Sequence, residues 1–267
     1  MAIIALHSAA SGLKALSQQL DVISNNIANA NNDGFKASRA NFEDLMYQYS
    51  PEPGAKNALG DVMPLGVATG YGTRLASTQL DLTQGSTQIT GNPLDVCIQG
   101  DGFFRVKVAS GQRDGLAYTR TGHFFTNDKG ELVMSTGGYK LDPAITVPAG
   151  ATGITIGQDG RISATLPGAT APADLGQIQL ATFRNPQGLL QIGSNLYQST
   201  DASGQPTLAN PGAEGLGVLQ QGAVEASNAD PVKELVDLIK TQRTFELNSQ
   251  SIQAADQMLQ AIGNLRH

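Results

Sequence analysis

Hydrophobic residues recur with a helical period in two places along this chain, and these are its two ends. Leu6, Ala9, Leu13, Leu16, Leu20, Ile23, Ile27 and Ala30 follow one another at alternating spacings of three and four, the a/d pattern of a helix with one apolar strip. Gly12 is a weak point within it. The run closes at Asn29-Ala-Asn-Asn-Asp33-Gly34, where Asn and Gly readily take the left-handed conformation that ends a helix. A helix of about 25 residues would extend about 37 Å. Towards the other end, Asp230 is a good N-cap and Pro231 suits a first helical turn. Leu238, Phe245, Ile252 and Leu259 then recur every seventh residue. Leu235 and Ile239 widen this strip early, Ala255, Met258, Ile262 and Leu265 widen it late, and the intervening Gln242, Ser249 and Asp256 are polar. One such strip does not stabilise a lone helix in water, so each needs a partner, and the other strip is the nearest candidate. Two ordinary core-facing helices of a globular domain would show the same pattern. Their length, their position at the chain ends and the roughly 200 residues between them without helical period favour an antiparallel terminal coiled coil carrying a β-rich insert.

From about residue 67 to 225 the pattern changes to short strands broken by turns. Candidate strands are Leu94–Gln99, Phe103–Val108, Glu131–Met134, Ile145–Val147, Ile154–Ile156, Arg161–Leu166 and Gln177–Phe183. Asp-Gly pairs at 101–102, 114–115 and 159–160, and Asn127-Asp-Lys-Gly130, are turn signals. Strands do not alternate with helices, which argues against a parallel nucleotide-binding sheet. Residues 47–66 have no period, carry Pro51, Pro53 and Pro64, and read by themselves as a loop or linker. The fold class expected is therefore α+β, with terminal helices and a β-rich centre.

Composition adds one positive point. Only 15% of residues are charged, and Gln, Asn, Ser and Thr fill the gap, so copies of the chain repel one another weakly and associate more easily. A net charge of −6, without a basic patch, argues against nucleic acid. Cys97 is the sole cysteine and sits in an apolar run, where it reads as a small buried hydrophobe. No stretch approaches the length of a membrane span, and the N-terminus lacks the basic start and long apolar run of a cleaved secretory signal. The expectation is a cytoplasmic protein, or one exported without such a signal. His7, His123 and His267 lie far apart without metal-ligand spacing, and HExxH, CxxC, Gly-x-Ser-x-Gly and Walker patterns are absent. The glycines at 66, 70 and 72, and at 100 and 102, are turn glycines. The sequence thus offers no catalytic, metal or cofactor residues and no small-molecule substrate.

Four separated stretches, in order, resemble the flagellar rod and hook axial protein family across almost the whole chain. The first is Ser24-Asn-Asn-Ile-Ala-Asn-Ala-Asn31 with Gly34-Phe35-Lys36. The second is Thr90-Gly-Asn-Pro-Leu-Asp-Val96 with Gly100-Asp-Gly-Phe-Phe104. Tyr118-Thr-Arg120, Gly122 and Gly130-Glu-Leu-Val133 form the third, and Glu225-Ala-Ser-Asn228, Gln242-Arg243 and Asp256-Gln-Met258 the fourth. Phe42-Glu-Asp-Leu-Met-Tyr-Gln48, Met63-Pro-Leu-Gly66 and Gly70-Tyr-Gly-Thr-Arg74 resemble the distal-rod members. Tyr71 and Thr73 flank Gly72 where the family usually has a simpler glycine–valine turn, and Ala229 replaces a common Val. The other long rod protein or a hook variant is the alternative within the family, and an exported enzyme or adhesin the alternative outside it.

The resemblance implies a nested architecture. Residues 1–35 and 228–267 would form an inner coiled-coil domain. Residues 36–93 and 195–227 would form a connecting β-rich domain with the extended segment 47–66, and residues 94–194 an outer β-rich domain. The expected interface residues are Leu6, Leu13, Leu16, Leu20, Ile23, Asn25, Asn26, Ile27, Asn29, Leu235, Leu238, Gln242, Arg243, Phe245, Ile252, Leu259 and Ile262. The amides of Asn25, Asn26 and Asn29 can bond either neighbouring subunits or their own backbone. Tyr47, Pro51, Pro53, Met63 and Pro64 mark a rod-stiffening segment. Implied partners are the chain itself, proximal rod proteins, hook-side axial proteins, ring proteins and the type III export apparatus. The implied place is the basal-body rod, crossing the periplasm.

Overall fold

The computed structural model describes residues 2–50, 52–54, 56, 61–62, 64–108, 115–167 and 171–264. They form two compact units, each built from separated stretches. One comprises Met1–Ala28, Ser38–Leu80 and Asp230–His267, and the other Asn29–Ala37 and Asp81–Ala229.

The first unit holds both periodic segments as helices, α1 (Ala2–Ala28) and α2 (Pro231–Asn264). They run side by side and antiparallel, since Gly12 lies against Asn248 while Asn26 bonds Glu234. Ala15 and Ile23 are the most deeply buried apolar side chains of α1. Gly12 has a use: a Cβ there would stand 3.2 Å from Asn248 Nδ2, so the glycine marks a close pass of the helices. Asp230 caps α2 as its residue type suggests, its Oδ1 accepting from the amide of Val232 at 2.9 Å.

Strands β1 (Ser38–Asp44) and β4 (Thr73–Leu80) pair antiparallel beside α1, with a bulge between Asn41 and Phe42. Their sequences, SRANFED and TRLASTQL, lack apolar alternation, which is why neither stands out as a strand. Order here comes from the partner strand and from α1. Gly72, at φ +111°, turns the chain into β4 where a Cβ would run into Ser11 Oγ. Between them, β2 (Tyr47–Tyr49) and β3 (Ala68–Gly70) form a second antiparallel pair, and Lys56 and Val62 meet in an isolated bridge. Residues 47–66 are therefore not a plain linker; a Tyr-x-Tyr strand opens them.

The second unit is β-rich. Its strands are β5 (Thr87–Ile89), β6 (Val96–Gln99), β7 (Phe103–Lys107), β8 (Leu116–Thr119), β9 (Phe124–Thr126), β10 (Leu132–Met134), β11 (Lys140–Leu141), β12 (Thr152–Ile156), β13 (Arg161–Thr165), β14 (Ala173–Gln177), β15 (Leu180–Thr182), β16 (Leu190–Gly193), β17 (Leu196–Gln198), β18 (Thr207–Ala209), β19 (Val218–Gln221) and β20 (Ala223–Glu225). The antiparallel main sheet runs β16-β17-β8-β7-β11-β10-β9. Strand β7 organises it, pairing β8 along one edge and both β15 and β11 along the other. Strands β12, β13 and β14 make a separate sheet, and β19 pairs β6 while β20 pairs β5. Val96, Ile98, Phe104, Phe124, Leu132, Leu141, Ile162 and Leu180 fill one core. Phe103 faces away from it, in edge contact with Phe183 at 6.0 Å and Tyr197 at 5.8 Å.

Three sequence expectations change. Ile145–Val147 is not a strand and pairs only through an isolated bridge from Glu131 to Thr146. Gln177–Phe183 divides into the end of β14 and β15, because Ile178 turns inward and its amide bonds Gly160 O at 2.8 Å. At the close of α1, Gly34 takes the left-handed conformation, at φ +72°, and the asparagines do not. Asp114 of the central Asp-Gly pair lies outside the described residues.

Candidate functional site

In a chain with so few charges, three buried ones meet in the second unit. Lys36 follows the exit from α1, Arg120 follows β8, and Glu225 ends β20; each is at most 3% exposed. Lys36 Nζ donates to Glu225 Oε1 at 2.6 Å and to Thr83 O at 2.7 Å. Arg120 Nη1 donates to Glu225 Oε2 at 3.4 Å and to Gly100 O at 2.9 Å. The Gly85 amide adds a third donor to the carboxylate at 2.9 Å. The guanidinium stands 5.4 Å over the Phe103 ring, and its Nε is buried without a hydrogen-bond partner. Burial pushes the Lys36 ammonium below its ordinary value, against the opposing pull of Glu225.

Asn228 completes the arrangement. Its Oδ1 accepts from the Ala37 amide at 2.7 Å, and its Nδ2 donates to Asp81 O at 2.8 Å and Thr83 O at 3.1 Å. Four sequence motifs thus contribute to one small polar centre: Gly34-Phe35-Lys36, Tyr118-Thr-Arg120, Gly100 and Glu225-Ala-Ser-Asn228. Its partners are other protein groups throughout, so the centre is a clasp where the chain enters and leaves the β-rich unit. In the sequence these residues stand within the family-like motifs, with no role legible for any of them. The available signal was a lone charge between apolar neighbours, as in Phe35-Lys36-Ala37 and Val224-Glu225-Ala226.

In the first unit the expected interface residues separate by exposure. On α1, Leu6, Leu13, Leu16, Leu20 and Ile27 are partly buried and Ile23 is buried, while Asn25 is exposed. Asn26 is only 2% exposed, and its bonding is internal. Its Nδ2 donates to Ser38 O at 2.8 Å and Glu234 Oε1 at 3.1 Å, and its Oδ1 accepts from Ser38 N at 3.0 Å. Of the two uses open to this amide, the structure shows the one within its own chain. Asn26→Ala is expected to lower stability by about 1–3 kcal/mol, read as a fall in the urea midpoint, because Ser38 N loses its acceptor. Asn29 is partly buried in the second unit.

On α2 the less exposed positions include Leu238, Thr241, Phe245, Asn248, Ile252 and Ala255, at alternating spacings of three and four, with Glu234, Asp237 and Ser249 beside them. Of the expected polar positions Ser249 is partly buried, whereas Thr241 and Ala255 take the places of Gln242 and Asp256; Gln242, Arg243 and Asp256 are exposed, as are Leu235 and Leu259. The Ile262 side chain lies outside the described residues. A second apolar strip follows another side of α2: Val232, Leu235, Val236, Ile239, Leu247 and Met258 are all exposed, Val232 by 72%. At 3.6 residues per turn most of this strip lies roughly opposite Leu238 and Phe245. The helix is apolar on two sides, and α1 lies along one.

The pair of β2 and β3 carries a third apolar surface. Tyr47 and Tyr49 are half exposed, Met46 and Leu65 about four-fifths exposed, at 81% and 80%, and Val62 and Val67 exposed as well. Tyr47 stands opposite Gly70, within 3.2 Å of where a Cβ would be, and its hydroxyl is pushed up by a hydrogen bond with Asp44. Pro53 and Pro64 are exposed; Pro51 and Met63 lie outside the described residues. Among the described residues no group of His, Cys, Asp or Glu is placed to hold a metal.

Matches to known proteins fall on the same stretches. Residues 6–36 match the flagella basal body rod protein family, 97–164 the flagellar hook protein FlgE/F/G D1 domain, and 220–265 the flagellar basal body rod FlgEFG protein C-terminal family. The chain is 47% identical over 263 residues to the flagellar basal-body rod protein FlgG of Caulobacter vibrioides, covering 98% of this chain and 99% of that one. It is 39% identical over 270 residues to FlgG of Bacillus subtilis, covering 98% of each. With the flagellar hook-basal body complex protein FlhP of the same organism, identity falls to 32% over 271 residues, covering 97% of this chain and 98% of that one.

Proposed function

The chain belongs to the flagellar basal-body rod protein family, and from that premise we propose how a structural rod subunit of this geometry assembles. Copies of the chain build the distal rod, a rigid hollow helical tube that carries torque from motor to hook. The observation that supports this most is the double apolar character of α2. Its strip at Leu238, Phe245 and Ile252 meets α1 as a short antiparallel coiled coil, and its strip at Val232, Val236, Ile239 and Leu247 is covered by neighbouring copies. The two strips differ, so the contact is heterologous, and a heterologous contact that does not close into a ring generates a helical polymer.

The three tiers implied by the family map onto residues 1–35 with 228–267, 36–93 with 195–227, and 94–194. The interface residues assigned from the sequence act here, with Asn26 serving within the chain. Besides itself, the subunit meets proximal rod proteins on one side, hook-side axial proteins on the other, and ring proteins around it. It reaches its place through the type III export apparatus and spans the periplasm there. No helix among the described residues is long and apolar enough to cross a membrane.

Electron microscopy and sedimentation of the purified full chain at rising concentration test the reading. Straight tubes above a critical concentration are expected; a chain that stays monomeric with α2 fully helical would defeat it. The pair of β2 and β3, with Tyr47, Tyr49, Leu65 and Val67 laid on adjacent copies, stiffens the tube. Deleting residues 47–64 is expected to leave assembly intact but to lower the bending stiffness, measured as persistence length in micrographs. An unchanged persistence length would return this segment to the role of a linker.

A further inference from the structure

His123 lies between two carboxylates in the β-rich unit. Its Nε2 is 2.8 Å from Asp33 Oδ2 and its Nδ1 is 3.0 Å from Asp95 Oδ1. A carboxylate only accepts, and a neutral imidazole has one N–H to give, so both contacts are hydrogen bonds only when the ring is an imidazolium. With the proton gone, one ring lone pair faces one carboxylate.

The two acids come from distant parts of the sequence. Asp95 is fixed in the turn before β6, where Thr90 Oγ1 donates to it at 2.6 Å and Asn92 Nδ2 at 3.1 Å. Asp33 belongs to the stretch between α1 and β1. Its side chain has His123, while its carbonyl accepts from Thr121 Oγ1 at 3.1 Å and Asn195 Nδ2 at 3.0 Å. We propose that His123 is a proton-operated latch that fastens the segment 29–37 to the β-rich unit while the ring is charged and loosens it on deprotonation. The latch is a property of the folded chain and does not depend on the assembly reading.

The charged groups that face His123 are Asp33 and Asp95. Burial alone would lower the imidazole's affinity for its proton, but the bonds and charges of these two acids outweigh it and raise the value above the ordinary 6.5. The sign follows. A folded value above the unfolded one makes the latch fully effective below about pH 6.5, and its contribution is lost as pH rises through the folded value.

The test uses the full chain below its assembly concentration. Ring nitrogen chemical shifts of His123 are followed by NMR from pH 5.5 to 9, together with exchange protection of the Gly34 and Phe35 amides, corrected for intrinsic rates. The expected result is a ring protonated on both nitrogens beyond pH 6.5, with protection falling as that proton leaves. In His123→Gln the protection should be lower at acid pH and flat across the range. A ring that is neutral at pH 6.5, or protection that falls in parallel in both chains, overturns the latch. Should the variant not fold, the ring titration of the unaltered chain decides by itself.

Discussion

A chain carrying Lys36→Met is expected to lose about 3–5 kcal/mol of folding stability, the usual cost of leaving one member of a buried ion pair behind. The side chain changes little in volume, so packing does not account for the loss. What remains is the Glu225 carboxylate, fully buried, with the Gly85 amide at 2.9 Å and a stretched contact of 3.4 Å to Arg120. Glu225→Gln leaves the opposite excess, two cations without their anion, and should cost a similar amount. The two changes together should cost less than their sum, since the Lys36–Glu225 pair is then removed as a whole and only Arg120 is left without its anion. Urea unfolding of the β-rich unit, followed by near-ultraviolet circular dichroism of its tyrosines, measures all three. Additive losses, or single losses below about 1 kcal/mol of the kind exposed pairs show, would mean that the clasp is not an energetic unit.

The second large effect belongs to assembly. Val236→Asp and Ile239→Asp sit on the exposed side of α2, so the monomer should keep its helical content and melting temperature. If neighbouring copies cover that side, each substitution removes burial worth about 1.5–3 kcal/mol per contact and adds the desolvation of a charge. At about 1.4 kcal/mol per tenfold change, the critical concentration should rise at least ten- to a hundredfold, and the doubly changed chain should form no tubes. Ile23→Asp is the control on the other side, because Ile23 is buried against the rest of its unit and its replacement should unfold the helix pair in the monomer. Normal tube formation by Val236→Asp at parental concentration would remove the outer strip of α2 from the interface.

The helices were legible because each carries a strip of period 3.6 over many turns, and their caps and ends use ordinary chemistry, as Asp230 shows. Strands with buried, apolar sequence were legible too, β6 and β7 above all. What escaped has a common physical cause. Strands β1 and β4 are polar and largely exposed, and hold their shape through each other and α1, so their own residues give little local sign. The second strip of α2 is partly visible in the sequence as Leu235 and Ile239, but there it passes for a widening of the first. The clasp escaped for another reason: Lys36, Arg120 and Glu225 gain meaning only together, and nothing in a linear chain says which three charges will meet. Asn26 shows the limit from the other direction. Its amide was readable as a hydrogen-bonding group, yet whether it serves its own backbone or a neighbour is decided by Ser38 and Glu234, one close in sequence and one 208 residues away.

That last separation bears on the order in which the molecule can become itself. Lys36 waits for a partner 189 residues downstream, and the β-rich unit closes only when its first stretch meets its last. Contacts so distant require a long loop to close before they return any stabilisation, which slows folding. If the chain is delivered N-terminus first through a narrow conduit, as the proposed export route requires, Lys36 lacks its carboxylate partner until residue 225 has come through. The same connectivity that locks the finished subunit would keep a chain travelling that route threadable until nearly its whole length had passed.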